Sequence, residues 1–219
     1  MRILSAALVV FVGGFIMMVL EIIGARYLAK DFGSSFHVWV SQIGVVLIAL
    51  ALGYYVGGAV ADRWQTLFLL AGLLAVTGVG MFFIPEWGGR LLNKLIERHP
   101  PELPVPLVWQ KADPVIGSAL LFLIPCMVLA MLSPFMIRMS TRRLSEVGRS
   151  SGLVIAAGTL GSIAGVFVSG FVLIEHFGMI TIFRFSGVMT VALGVLCGVI
   201  EWNLRSQSDT QQQRGDAVS

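Results

Sequence analysis

The chain has 219 residues, of which 57% are hydrophobic and only 12% charged, with a net charge of +3. A soluble domain carries about 25% charged residues, so this composition excludes an ordinary water-soluble domain and points to an integral membrane protein. The basic residues fall between apolar runs, with no basic patch interleaved with aromatics, which excludes nucleic acid as a partner.

Six apolar runs are long enough to cross a bilayer, which takes about 20 residues. They cover residues 4–28, 36–61, 66–85, 114–137, 151–174 and 179–201. The first follows Arg2 and stays apolar as far as Ile23, apart from Glu21, with no small-x-small cleavage site at its end. That is longer than a signal-peptide core of about 7–15 residues, so it reads as a transmembrane helix. Glu21 lies five residues before Arg26, or roughly 7–8 Å along a helix. A carboxylate at that depth needs a partner or a cavity. His37, Ser41 and Gln42 on the second run should lie near it in depth, as should Glu175, His176 and Arg184 around the junction of runs five and six. Glu21, Gln42 and Glu175 are therefore candidate solute-binding residues for a cation such as an amine. The competing structural reading pairs Glu21 with Arg26 or Arg184 and leaves Glu175 and His176 in a solvated loop.

The second run ends in "ALGYYVGGAVADRW", a glycine-rich helix that closes on Asp62 and Arg63. Gly58 there is expected to let a neighbouring helix approach. Asp62 is expected to accept from that helix's N-terminal amides or to pair with an arginine. Between runs three and four, "RLLNKLIERHPPELP" places Leu91, Leu92, Leu95 and Ile96 on one helical face and Lys94, Glu97 and Arg98 on the other. This predicts a short interfacial helix stopped by Pro100 and Pro101. In run four, Ser133 and Pro134 predict a kink that frees backbone carbonyls. Cys126 and Cys197 lie in apolar runs without a CxxC or Cys/His cluster, so they read as buried thiols, and no metal or other cofactor is expected. After Trp202 the stretch 203–219 is polar and is expected to be a disordered tail outside a helical domain of residues 1–202.

Trp39, Trp64, Trp87, Trp109 and Trp202 all sit at the ends of runs, the pattern of an interfacial aromatic belt. Arg138, Arg142, Arg143 and Arg149 stand against one acid, Glu146, in the 138–149 loop, which is thereby the best cytoplasmic candidate. Six spans then put both termini on the same side. Small residues recur four apart, as in Gly53 and Gly57, Gly161 and Gly165, and Gly194 and Gly198, and serve close helix packing in lipid. An internal offset of 112 positions relates Arg26 to Arg138, Gly53 to Gly165, and Gly58 to Gly170. That predicts two inverted three-helix repeats. The fold class expected is an all-α polytopic transmembrane bundle of about six helices, facilitator-like, with a 3+3 inverted repeat.

The "GAVADR" end looks like the start of the signature between helices two and three of major facilitator transporters, without that signature's basic continuation. A longer likeness covers most of the chain. Residues 14–63, with Glu21, Arg26, the "FGSS" turn, Trp39 and "LALGYYVGG" running into Asp62-Arg63, resemble the N-terminal membrane region of membrane-bound spermidine synthase-like proteins. Residues 133–178, "SPFMIRMSTRRLSEVGRSSGLVIAAGTLGSIAGVFVSGFVLIEHFG", resemble that family's proline-led helix four, basic loop and glycine-rich helix five. The family's soluble aminopropyltransferase domain has no counterpart here, since no glycine-rich nucleotide loop follows a strand. The resemblance therefore implies a non-catalytic membrane module, not an enzyme, which anchors or serves a separate soluble synthase-like protein and handles a small cationic or polyamine-like solute. The alternatives are an independent small-solute transporter and a structural subunit of a membrane complex. Six helices would make half of a twelve-helix transporter, so a homo-oligomer or a partner would complete it. The location implied is a bacterial inner membrane with both termini cytoplasmic.

Overall fold

The computed structural model describes residues 3–64, 66–98, 105–141 and 147–216, with side chains as far as residue 206. The helices are α1 (Ile3–Phe32), α2 (Phe36–Arg63), α3 (Leu67–Phe82), α4 (Ile84–Ile96), α5 (Leu107–Ser140), α6 (Val147–His176) and α7 (Met179–Asp216). The chain is an α-helical transmembrane bundle. α1, α2, α5, α6 and residues 179–206 of α7 are each long and apolar enough to cross a membrane. α3 and α4 together make a sixth span only if taken as one, for they bend by 68° at their junction.

Several boundaries differ from the sequence reading. The interfacial helix starts at Ile84, straight after α3, rather than near Arg90, because Pro85 fits a helical first turn and breaks the helix before it. Leu92 and Leu95 are buried, Leu91 is half-buried, and Lys94, Glu97 and Arg98 are exposed, as the pattern predicts, whereas Ile96, expected on the same apolar face, is exposed. Its expected stop, Pro100 and Pro101, lies outside the described residues, as do Arg142, Arg143 and Glu146 of the basic loop. α5 begins at Leu107 instead of 114, and Arg98 pairs with buried Asp113 and stacks on Trp109 at 4.4 Å, which ties α4 to it. α7 is helical to Asp216 where a disordered tail is expected from 203; the Gln- and Arg-rich stretch holds no proline and no glycine before Gly215.

Two of the three prolines in α5, Pro125 and Pro134, follow irregularities, while Pro114 sits within a continuous helical stretch. A π turn at Ala119–Leu123 precedes Pro125, and a break at Met131 precedes Pro134, whose missing N–H leaves the Ala130 carbonyl without its helical donor. A second π turn occupies Ser169–Leu173 of α6. Between α1 and α2 the "FGSS" turn holds Gly33 at φ +80°, a left-handed conformation that suits glycine.

The helices pack in three pairs, and in each a backbone approaches so closely that only glycine fits. In α6, Gly161 lies against the Phe11 carbonyl, and a methyl on Gly165 would fall 2.5 Å from the Phe15 carbonyl oxygen and 3.0 Å from Met18 Cβ. In α2, a methyl on Gly53 would overlap the Met127 carbonyl and come 2.5 Å from Ala130 Cβ, while one on Gly57 would meet Met131 and Pro134. These are the same contacts made twice. Gly53 and Gly165, Phe15 and Met127, and Met18 and Ala130 each stand 112 positions apart. The third pair, α3 with α7, is antiparallel and repeats across itself: Gly187 packs on the Phe82 amide nitrogen as Gly194 packs on that of Ala75. Residues 75 and 187, and 82 and 194, are again 112 apart. The bundle thus has a pseudo-twofold relating α1–α3 to α5–α7, with α4 outside the symmetry.

α1 and α5 run in opposite directions, since Gly13 meets Leu132 and Gly24 meets Phe122. They therefore pass the same level near Met17 and Leu129, themselves an equivalent pair, which fixes the height of the pseudo-axis.

Candidate functional site

A cavity of about 490 Å³ lies at that level, between the α1/α6 pair and the α2/α5 pair. A solute pocket commonly measures about 300–1,000 Å³. Its upper wall holds Met17, Met18, Leu129 and Ala130 on the axis, and it extends only toward the end where Asp62 and Arg138 lie, past Gly14, Tyr54, Ser133 and Thr159. Toward the Arg26 end the helices close. Gly24 sits against Gln42 and Phe122, Gly117 against Phe32, and Ile23, Leu28 and Phe122 are fully buried. Tyr27 and Phe122 both pack on Phe183 of α7, with ring centroids at 5.3 and 6.1 Å.

The lining is apolar apart from the hydroxyls of Tyr54, Ser133, Thr159 and Ser162. Thr159 donates to the Ile155 carbonyl at 3.0 Å and Ser162 to the Gly14 carbonyl at 3.4 Å. Their oxygens keep lone pairs to accept with, and the Ala130 carbonyl is free of its helical donor. The chemistry is that of a mainly apolar pocket with a few neutral hydrogen-bonding groups and no charged side chain in its wall. Among the described residues no group of His, Cys, Asp and Glu could hold a metal.

The three candidate binding residues are not brought together. Gln42 is fully buried and accepts from Ser118 Oγ at 2.7 Å, with its Nε2 packed on Gly24 and unpartnered, so it joins α2 to α5 and α1 instead of facing the cavity. Glu175 is exposed at the end of α6, beside an exposed His176 whose ring lies 2.9 Å from the Val172 carbonyl oxygen. Glu21 is half-buried, one turn above Met17, within electrostatic reach of Cys126. Among the described residues it makes no hydrogen bond or ion pair, so its expected pairing with Arg26 or Arg184 does not form. Arg184 bonds to Glu86 instead, at 2.6 Å, and Arg26 is exposed.

At the other end, Asp62 takes one of its two expected partners. Its Oδ1 lies 3.0 Å from Arg138 Nε, and Arg63 beside it is exposed with its guanidinium 5.9 Å from the Trp64 ring. The other role, accepting from the next helix's N-terminal amides, falls to a residue the sequence reading passed over. Buried Glu201 of α7 accepts from Leu67 N at 3.3 Å and Thr66 Oγ1 at 3.2 Å, and Arg205 bonds it at 3.0 Å. An acid near the end of an apolar run, four residues before an arginine, was the available signal. Gly58 does not make the close approach expected of it. A methyl there would stand 4.0 Å from Pro134, an ordinary contact, and the tight positions are Gly53 and Gly57. Cys126 and Cys197 are buried free thiols.

Comparison of the chain with protein-family models, with curated proteins and with solved structures gives no match.

Proposed function

We propose that the protein is a non-catalytic membrane carrier that moves a small solute by rocking its two three-helix repeats against each other. The observation that supports this is the placement of the cavity. It lies on the pseudo-axis of an inverted repeat, and its lining runs from there toward one end of the bundle and not the other, the asymmetry alternating access requires. The wall favours a compact, largely apolar molecule held by a few hydroxyls. On the Lys/Arg distribution, the Asp62 end and both termini face the cytoplasm of a bacterial inner membrane.

The test is flux. Proteoliposomes are incubated with a mixture that includes spermidine, a lipophilic monocation and neutral osmolytes, and their contents are read by mass spectrometry. A solute that accumulates with the native chain and not with T159F, which fills the cavity, carries the proposal. Contents identical to those of protein-free liposomes sink it.

The likeness to spermidine synthase-like proteins supports a second reading, a membrane anchor for a soluble synthase-like partner. The exposed Arg63, Trp64 and Arg149 at the Asp62 end offer such a partner a basic, aromatic landing surface. Gentle detergent pull-down from native membranes separates the readings: a stoichiometric soluble protein favours the anchor, and a lone homo-oligomer favours the independent carrier.

A further inference from the structure

The pseudo-symmetry holds in the tight glycine contacts and is broken in the openings. In an inverted repeat, exchanging the conformations of the two halves generates the state that faces the other way. The exchange can be written residue by residue, because the tight contacts fix the offset at 112 positions. Ser133, which lines the present cavity, is replaced by Glu21. Gly14, also in the wall, is replaced by Cys126. Thr159 and Tyr54 are replaced by Leu47 and Val166, while Met17, Met18, Leu129 and Ala130 on the axis exchange among themselves.

We propose that Glu21 is the charged ligand of the opposite-facing cavity, where it binds a small monocation carried on an otherwise apolar body. This deepens the carrier reading and rests on it. A half-buried carboxylate with no hydrogen bond or ion pair among the described residues has no present role to account for its position. In the exchanged state it is the one charged residue in a wall that is otherwise apolar apart from Ser162, which takes the place of Leu50, an apolar sleeve around a single negative charge. Such a site holds a monocation and discriminates against anions.

A second pair of charges fits the same exchange. Arg26 is equivalent to Arg138. The π turn at Ser169–Leu173 adds one residue to α6, so beyond it the offset becomes 113 and Glu175 takes the place of Asp62. The ion pair that closes α2 on α5 at one end thus has its counterpart residues, Arg26 on α1 and Glu175 on α6, at the other. Both are exposed, and neither has an ion pair here among the described residues. The exchanged state brings them together as the Asp62–Arg138 pair parts.

Cys126 is the natural reporter, since it is fully buried now and lines the cavity after exchange. With Cys197 replaced by alanine, a membrane-impermeant thiosulfonate is applied to the Arg26 face, with and without tetraphenylphosphonium. S133C in a C126A/C197A background, treated from the Asp62 face, reports that the fold and the present cavity are intact. The inference expects both cysteines to react, from opposite faces. It also expects the monocation to slow Cys126 modification at least fivefold in the native chain and less than twofold in E21Q. Cys126 inert while S133C reacts overturns the exchange; equal protection in E21Q overturns the assignment of Glu21. The carrier reading fails separately: Cys126 that reacts and is protected, in a chain that moves no solute, upholds the site and removes the transport.

Discussion

Arg138 Nε lies 3.0 Å from Asp62 Oδ1, joining the end of α2 in one repeat to the end of α5 in the other. Both side chains are substantially exposed, so the pair stabilises little, on the order of 0.2–1 kcal/mol. D62N and R138Q should each lower thermal stability in detergent only slightly, and the double variant should lose no more than either alone. A double-mutant cycle with no coupling would show that the pair is incidental to this conformation.

The glycine contacts should matter far more. G53L and G165L each drive a side chain into a backbone carbonyl, of Met127 and Phe15 respectively. Overpacking of this kind costs about 1–3 kcal/mol or more. Gly44 and Gly72 have nothing within 4 Å of a would-be methyl, so G44A and G72A should leave stability unchanged or raised. Fluorescence-detected melting of the four variants checks the contrast, and a G165L protein as stable as G72A would refute the packing.

Glu201 should be the most costly acid to remove. Its carboxylate serves Leu67 N and Thr66 Oγ1 at the start of α3. E201A leaves that amide without its acceptor and takes from Arg205 its carboxylate, though not its bond to Thr66 Oγ1, a loss of about 1–3 kcal/mol for the unmet buried group. Hydrogen exchange should show the first turn of α3 opening in E201A and the rest of the bundle unchanged.

At the interface near the Arg26 end, the hydrogen bond from Arg184 holds the Glu86 carboxyl below its ordinary value. A carboxyl lowered on folding adds stability above its unfolded value of about 4.5, lost as pH falls through the lowered folded value. The native chain should therefore lose a small increment of thermal stability between pH 5 and pH 3 that R184Q lacks. Parallel melting curves for the two proteins across that window would remove the pair from the account.

The class, five of the six spans and the glycine spacing were legible because each rests on local pattern, and lipid forces apolar residues into continuous stretches; the run 66–85, expected to span alone, folds as the sixteen-residue α3 and spans only if joined to α4 across their bend. The offset of 112 positions was legible from Arg26, Gly53 and their partners, though which glycines touch was not: Gly58 and Gly53 look alike in sequence, and only the crossing of α2 over α5 decides that Gly53 is tight and Gly58 loose. The acids divided in the same way. Glu21 stands out in sequence by its depth, whereas Glu201 takes its role from a residue 134 positions away, Leu67, which no local pattern records. Gln42 shows the limit most plainly, because polarity in an apolar helix marks a solute ligand and a helix–helix hydrogen bond alike.

α3 has sixteen residues and so reaches about 24 Å, less than the roughly 30 Å of hydrocarbon it must cross. α4 turns away at 68° with its apolar face inward, so the missing depth is not regained by more helix along the same axis. The lipid beside α3 and α4 must then thin to meet the protein on that flank, while on the opposite flank the long α2 and α6 permit full thickness. A bilayer stretched unevenly around one molecule exerts a lateral force. It favours short-chain lipids on the α3 side, where they meet the protein with the least deformation.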